Sequence, residues 1–147
     1  MCQSLCFRER MNKGMNTEQV KQATILLIEE DDETRPILKQ NLQRYRYRVL
    51  IALDEEDARD RVGGGGGVQA DLILIDLVGK SPQDVLEAGQ RVRAHAKYDG
   101  HTPLVALAEK YGADLEGTDV NVSGNDWITY LEEHDQLHNL LARLLGK

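Results

Sequence analysis

The chain has 147 residues, of which 41% are hydrophobic and 29% charged, enough for one globular domain with a real core and too few for a second domain of ordinary size. No apolar run reaches the roughly 18–20 residues of a membrane span, and the N-terminus lacks the apolar centre of a signal peptide, so the chain reads as cytoplasmic. The formal net charge is -7, and residues 1–23 hold four basic and two acidic residues, which leaves 14 basic against 23 acidic in the rest; a body this acidic repels a phosphate backbone, arguing against nucleic acid and for a basic protein surface or a divalent cation.

Residues 1–22 read as a disordered tail. Its cysteines, Cys2 and Cys6, could form a small disulfide, ligate metal or accept a lipid, beside the ordinary reading of a reduced, idle pair. Met11 and Met15 offer alternative translation starts. From residue 23 to 146, apolar strand-like runs alternate with amphipathic ones, the pattern of βαβ units on a parallel sheet. A first strand is expected over 23–28. Asp32 and Glu33 then precede Pro36 near a helix start, and Leu38, Leu42 and Tyr45 carry helical spacing to about 45.

A second strand follows over 47–52, with Arg46 and Arg48 pointing to a sheet edge. Asp54 offers an N-cap for a short acidic helix through Val62, which the glycine run Gly63 to Gly67 ends. A phosphate cradle would need those glycines after a strand and before a helix, whereas here they follow a helix. A third strand is expected over 70–76. Ser81-Pro82-Gln83-Asp84 starts a helix to about 96 with Val85, Ala88 and Val92 inward. A fourth strand covers 103–107. Between Glu109 and Gly124 the glycines, with Asn121 and Ser123, leave room only for a short or frayed helix. The last strand runs over 126–130, and Asp135 is expected to cap a final helix whose Leu137, Leu140, Leu141, Leu144 and Leu145 form a stripe facing the core.

Two of these strands end in carboxylates: Ile25-Leu26-Leu27-Ile28 runs into Glu29-Glu30-Asp31-Asp32, and Asp71-Leu72-Ile73-Leu74-Ile75 ends in Asp76. In an open parallel sheet ligands gather outside the carboxyl ends of the strands, so neighbouring strands would bring these acids into one crevice. Carboxylates within about 4 Å repel by roughly 4 kcal/mol per pair at an effective dielectric near 20, which invites a hard divalent cation such as Mg²⁺. With charge neutralised, a carboxylate can act as a nucleophile toward a phosphoryl group. Alone, the acids from Glu29 to Glu33 also suit the N-terminus of the first helix, whose dipole favours anions.

The alternation of strands and helices, the acids after the first strand, Arg35 in the first helix, Asp76 after the third strand and Thr102-Pro103-Leu104-Val105-Ala106-Leu107 together resemble the receiver domain of bacterial two-component response regulators. The resemblance spans residues 23–146. It implies an α/β fold, a doubly wound five-stranded parallel sheet of flavodoxin-like order 2-1-3-4-5 with helices on both faces. It also implies a non-enzymatic, stand-alone phosphorelay module with Asp76 as phosphoacceptor. Mg²⁺ would be held by Glu30, Asp76 and the Val78 carbonyl, with Glu29 through water. The implied partners are a histidine kinase or phosphotransfer protein and a separate output protein, met through a face around helix four, strand five and helix five.

The chain departs from the family pattern at two positions. The hydroxyl residue that ends the fourth strand is here Ala108, and the lysine that ends the fifth, followed by proline, is Tyr130 followed by Leu131. A hydroxyl would give a phosphoryl oxygen a hydrogen bond worth roughly 1.5–3 kcal/mol, and Tyr130 offers one hydrogen bond and no positive charge. Trp127, at the family's switch-aromatic position, either fills space left by the missing hydroxyl or is an ordinary strand aromatic. A pseudo-receiver that binds its partner without regulated phosphorylation therefore stands beside the phosphoaccepting reading. An aspartate-nucleophile phosphatase would need a second acid where Val78 stands. His134 and His138 have one-face helical spacing for metal but no third ligand, and His95 and His101 flank a loop. The sequence leaves oligomeric state open.

Overall fold

The computed structural model describes residues 22–63, 69–98, 101–109, 111–133 and 135–146. The tail with Cys2, Cys6, Met11 and Met15, the glycines Gly64 to Gly67, and His134 lie outside the described residues. Ten elements follow in chain order: β1 (Thr24–Glu29), α1 (Thr34–Arg44), β2 (Arg48–Ala52), α2 (Glu55–Val62), β3 (Leu72–Asp76), α3 (Pro82–Ala96), β4 (Leu104–Leu107), β5 (Asp119–Ser123), β6 (Asp126–Thr129) and α4 (Gln136–Leu144).

The sheet runs β2-β1-β3-β4-β6-β5. The first five positions are parallel and reproduce the expected doubly wound order. β1 and β3 are covered on both faces, which is why they read as unbroken apolar runs rather than alternating ones. β2 is the half-exposed edge that its arginines announce. α1 and α4 pack one face of the sheet around Ile25, Leu27, Leu42, Val105, Leu137, Leu140 and Leu141. α2 and α3 pack the other around Ile28, Ala58, Val62, Ile75, Val85, Leu86 and Val92. The leucine stripe of α4 is thus core.

Local chemistry sets the helix starts. Asp54 accepts a hydrogen bond from the Asp57 amide at 2.8 Å, and Ser81 one from the Asp84 amide at 3.1 Å with Pro82 in the first turn. At the start of α1, Asp31 rather than Asp32 or Glu33 accepts from the Thr34 amide at 3.1 Å and from its hydroxyl. Asp135 precedes α4 but makes no side-chain cap.

The sixth strand corrects the sequence reading. Where a short or frayed helix was expected after Glu109, residues 113–117 form a turn and β5 pairs antiparallel with β6, so the described residues hold four helices and the sheet six strands. Asp119-Val120-Asn121-Val122-Ser123 alternates polar and β-branched residues at period two, a strand signal that its glycine and asparagine content obscures. Gly117 (φ +81°) supplies the left-handed backbone at the end of that turn, and Gly124 (φ +49°) that of the two-residue connection into β6. The segment anticipated as the fourth helix is therefore one arm of a hairpin.

Candidate functional site

β1 is the switch point of the sheet: the chain leaves it toward β2 on one side and reaches β3 on the other, so a crevice opens beyond the carboxyl ends of β1 and β3. Glu29 and Asp76 are register partners, the last residues of their strands, and the Glu30 amide donates to the Asp76 carbonyl at 3.3 Å. Glu29 is fully buried and Asp76 half-buried. One Glu29 oxygen accepts from the Asp31 amide at 3.1 Å, while Glu29 Oε1 and Asp76 Oδ1 are buried with no partner.

Burial, then a hydrogen bond and like charge from Asp76, pushes the Glu29 carboxyl up to about 8. Burial also raises Asp76, and Glu109, Asp31 and Glu30 add repulsion in that order. Two adjacent carboxyls at the ends of buried strands cannot both ionise cheaply, so one holds a proton unless a cation takes its place. The orphaned oxygens fit a hard cation.

Glu30 reaches the loop after β3, where its Oε1 accepts from the Val78 amide at 2.7 Å. Among the described residues no group of three or more His, Cys, Asp or Glu is assembled as a metal cage. The donor set brought together is thus Glu29 with Asp76, and Glu30 joins it only by giving up the Val78 amide.

Arg35 organises the loop without neutralising the acids. Its guanidinium donates to the Glu29 carbonyl at 2.8 Å, the Glu30 carbonyl at 3.1 Å and the Asp32 carboxylate at 2.8 Å, the last highly exposed. Sequence reasoning missed Glu109. Two residues beyond β4, its Oε1 accepts from the Gly79 amide at 3.2 Å, closing the loop after Asp76 with a further carboxylate. The available signal was an acid directly after Ala108 at a strand end that faces the crevice.

The two positions where the pattern breaks lie on one face of the sheet, and Trp127 on the other. Tyr130 is buried in the α2/α3-side cluster with its ring edge-on to Tyr111, centroids 5.3 Å apart, and Ala108 packs at the same cluster. Trp127 lies on the opposite, α1/α4 face, beside Val105 in register and under the Arg143 guanidinium at 5.3 Å. The indole therefore does not face Ala108 or fill the space of a missing hydroxyl, because residues 127 and 108 belong to different faces of the sheet.

Elsewhere, His138 stacks on Tyr45 with ring centroids 3.8 Å apart between α4 and α1, in a groove of about 330 Å³. No helix among the described residues is long and apolar enough to cross a membrane.

Fold and strand-end acids together define a receiver-type domain: the chain has the receiver-domain fold. It is similar to the chemotaxis protein CheY4 of Vibrio cholerae, with a TM-score of 0.62 and 23% identity over 85% of this chain and 100% of that one. It is also similar to a response regulator of Thermotoga maritima (TM-score 0.63, 18% identity, 86% and 100% covered). A third similar structure is the receiver domain of the sensor histidine kinase PA1611 of Pseudomonas aeruginosa PAO1, with magnesium coordinated in its active-site cleft (TM-score 0.60, 22% identity, 86% and 100% covered). Among curated proteins, it is 27% identical over 122 residues to the uncharacterized transcriptional regulatory protein YkoG of Bacillus subtilis (82% of this chain, 48% of that protein). It is 30% identical over 110 residues to the transcription factor prr1 of Schizosaccharomyces pombe (75% of this chain, 17% of that protein). The chain thus spans about half the length of the first and about a sixth of the second. No family model matches it.

Proposed function

We propose that this chain is a signalling module that works by binding another protein, with Asp76 at the phosphoacceptor position but without the side chains that would read a phosphoryl group there. The observation that carries this reading is the register-matched pairing of Glu29 with Asp76 at the strand ends, bordered by Ala108 and by a Tyr130 buried among apolar residues. The acids form the accepting end of such a site. Ala108 has no hydroxyl to bond a phosphoryl oxygen, and Tyr130 brings no charge.

In this reading the output face is the β5–β6 hairpin with α4, and it binds its partner in one conformation. A histidine kinase or phosphotransfer protein upstream and an output protein downstream are the partner classes; the transcriptional relatives make a DNA-binding output protein the first class to screen. Mg²⁺, if bound, would be held by Asp76 and Glu29, with Glu30 released from the Val78 amide, and would supply positive charge directly between the two strand-end carboxylates. The loop from Asp76 to Lys80 and the acids after β1 would orient it.

A second reading, a phosphoaccepting receiver, is favoured by the partnerless oxygens of Glu29 and Asp76, which suit a divalent cation. In it a deprotonated Asp76 oxygen attacks phosphorus and the donor's leaving oxygen departs with the bonding pair, leaving an acyl phosphate. Incubation with acetyl phosphate and Mg²⁺, read by intact mass, tests the two. The pseudo-receiver reading expects little adduct and equal capture of the partner by wild type and Asp76→Ala. Stoichiometric phosphorylation of Asp76 that alters partner capture would overturn it.

A further inference from the structure

Glu109 distinguishes this crevice chemically. The β3–α3 loop turns past Asp76 through Leu77, Val78 and Gly79, and its amides point at carboxylates: Val78 N–H to Glu30 and Gly79 N–H to Glu109. Both amides are already held by anions of the chain itself. Glu109 is exposed and, among the described residues, bonded to no basic side chain. Arg35 is spent on carbonyl groups and Asp32. An incoming dianionic donor would therefore approach past Glu109 and lose the Gly79 amide to it, while Lys80 and Arg59 lie toward Glu30 and Leu77.

We infer that Glu109 is a specificity-determining residue that biases this site against phosphoryl donors and toward cations, by placing a tethered carboxylate on the loop amide beside Asp76. The inference rests on the assignment of Asp76 to the phosphoacceptor position. It concerns the step in which an Asp76 oxygen forms a bond to phosphorus while the bond from phosphorus to the acetate oxygen of acetyl phosphate breaks, acetate leaving with the electron pair. Glu109 takes no part in the bonds exchanged, so it is a gate on charge. Glu109→Gln keeps a side-chain oxygen for the Gly79 amide and removes only the charge; Glu109→Ala removes both.

The test follows acetyl phosphate labelling by intact mass in excess Mg²⁺ for wild type, Glu109→Gln, Glu109→Ala and Asp76→Asn, with Mg²⁺ binding measured by calorimetry on the same proteins. Both Glu109 variants are expected to label at least about tenfold faster than wild type, the size of effect one nearby like charge produces at a half-exposed site. The same variants should bind Mg²⁺ about threefold more weakly, and Asp76→Asn should stay unlabelled. Raised ionic strength should speed wild type and leave Glu109→Gln nearly unchanged. Equal labelling rates for wild type and both variants, or no label on any of them, overturns the inference. Rapid labelling of wild type that alters partner capture would instead overturn the pseudo-receiver reading, while the ratio of variant to wild-type rates would still decide the role of Glu109.

Discussion

The two sides of the sheet end in opposite chemistry. At β1 and β3 the strands finish in buried or half-buried carboxylates held by main-chain amides; at β4 and β6 they finish in Ala108 and Tyr130, with apolar packing behind them. One side is built to meet a cation or an electrophile, and the other offers little beyond shape. Burying a charged group is costly and hydrogen-bonding it to amides offsets only part of that cost, so the acidic side stores instability that a ligand can relieve.

The largest expected effect lies on the apolar side, where the hairpin is pinned by one buried ion pair. Asp126 opens β6 and accepts from Arg93 of α3 at 2.6 and 3.1 Å and from Gln90 at 2.9 Å, and Arg93 also donates to the Thr102 carbonyl at 3.1 Å. Asp126→Ala leaves a guanidinium largely out of water with its partner gone and should cost about 3 kcal/mol in urea unfolding. A cost under about 1 kcal/mol would mean that the hairpin side is held by packing alone.

The next effect belongs to the acidic side and depends on pH. Because the Glu29 carboxyl rises from 4.5 to about 8 on folding, the folded chain keeps a proton between those values that the unfolded chain has released. Stability should then fall as pH rises from 5 to 8, by about 2 kcal/mol, short of the full shift because half-buried Asp76 lets water in beside the pair. The carboxylates lowered by partners, Asp126 and Glu55, lose their contributions only at more acid pH and so do not mask this window. Glu29→Gln should flatten the profile. Excess Mg²⁺ at pH 8 should restore part of the lost stability in wild type and little in Asp76→Asn, as read by thermal unfolding.

How far the sequence shows all this differs between the same two sides. The parallel order, the helix caps at Asp54 and Ser81 and the meeting of Glu29 with Asp76 follow from long apolar runs and polar residues at their ends, signals that local sequence carries directly. The β5–β6 hairpin did not show because Gly117, Asn121, Ser123 and Gly124 weaken any propensity sum, and the weak two-residue alternation of Val120 and Val122 succeeds only once β6 is there to pair with. The direction of Glu30 toward the Val78 amide and the reach of Glu109 to Gly79 depend on loop conformation, which spacing does not encode. The resemblance sets Trp127 at a switch-aromatic position facing Ala108, and the alternation of faces separates the two.

A turn substitution sharpens the contrast at smaller scale. Gly124 stands at φ +49°, so Gly124→Val should cost about 1–2 kcal/mol and Gly124→Asn much less, since asparagine tolerates the left-handed region. If β5 is the partner face, Gly124→Val should also weaken partner capture, while labelling of Asp76 by acetyl phosphate stays as in wild type.

The smallest effect is the most discriminating. Trp127 is the sole tryptophan of the chain, its indole nitrogen is buried without a partner, and Arg143 of α4 lies over its ring. Arg143→Ala should cost only about 0.5 kcal/mol, the scale of a partly exposed cation–π contact, yet change tryptophan emission because the nearest charge to the ring is removed. The same emission should be indifferent to Mg²⁺ in wild type, since the ring packs with Val105 and α4 on the face away from Ala108 and Tyr130. An emission change on Mg²⁺ addition that Arg143→Ala abolishes would show the acidic crevice and the α4 face to be coupled through β6, and the division between a receiving side and a silent side would fail.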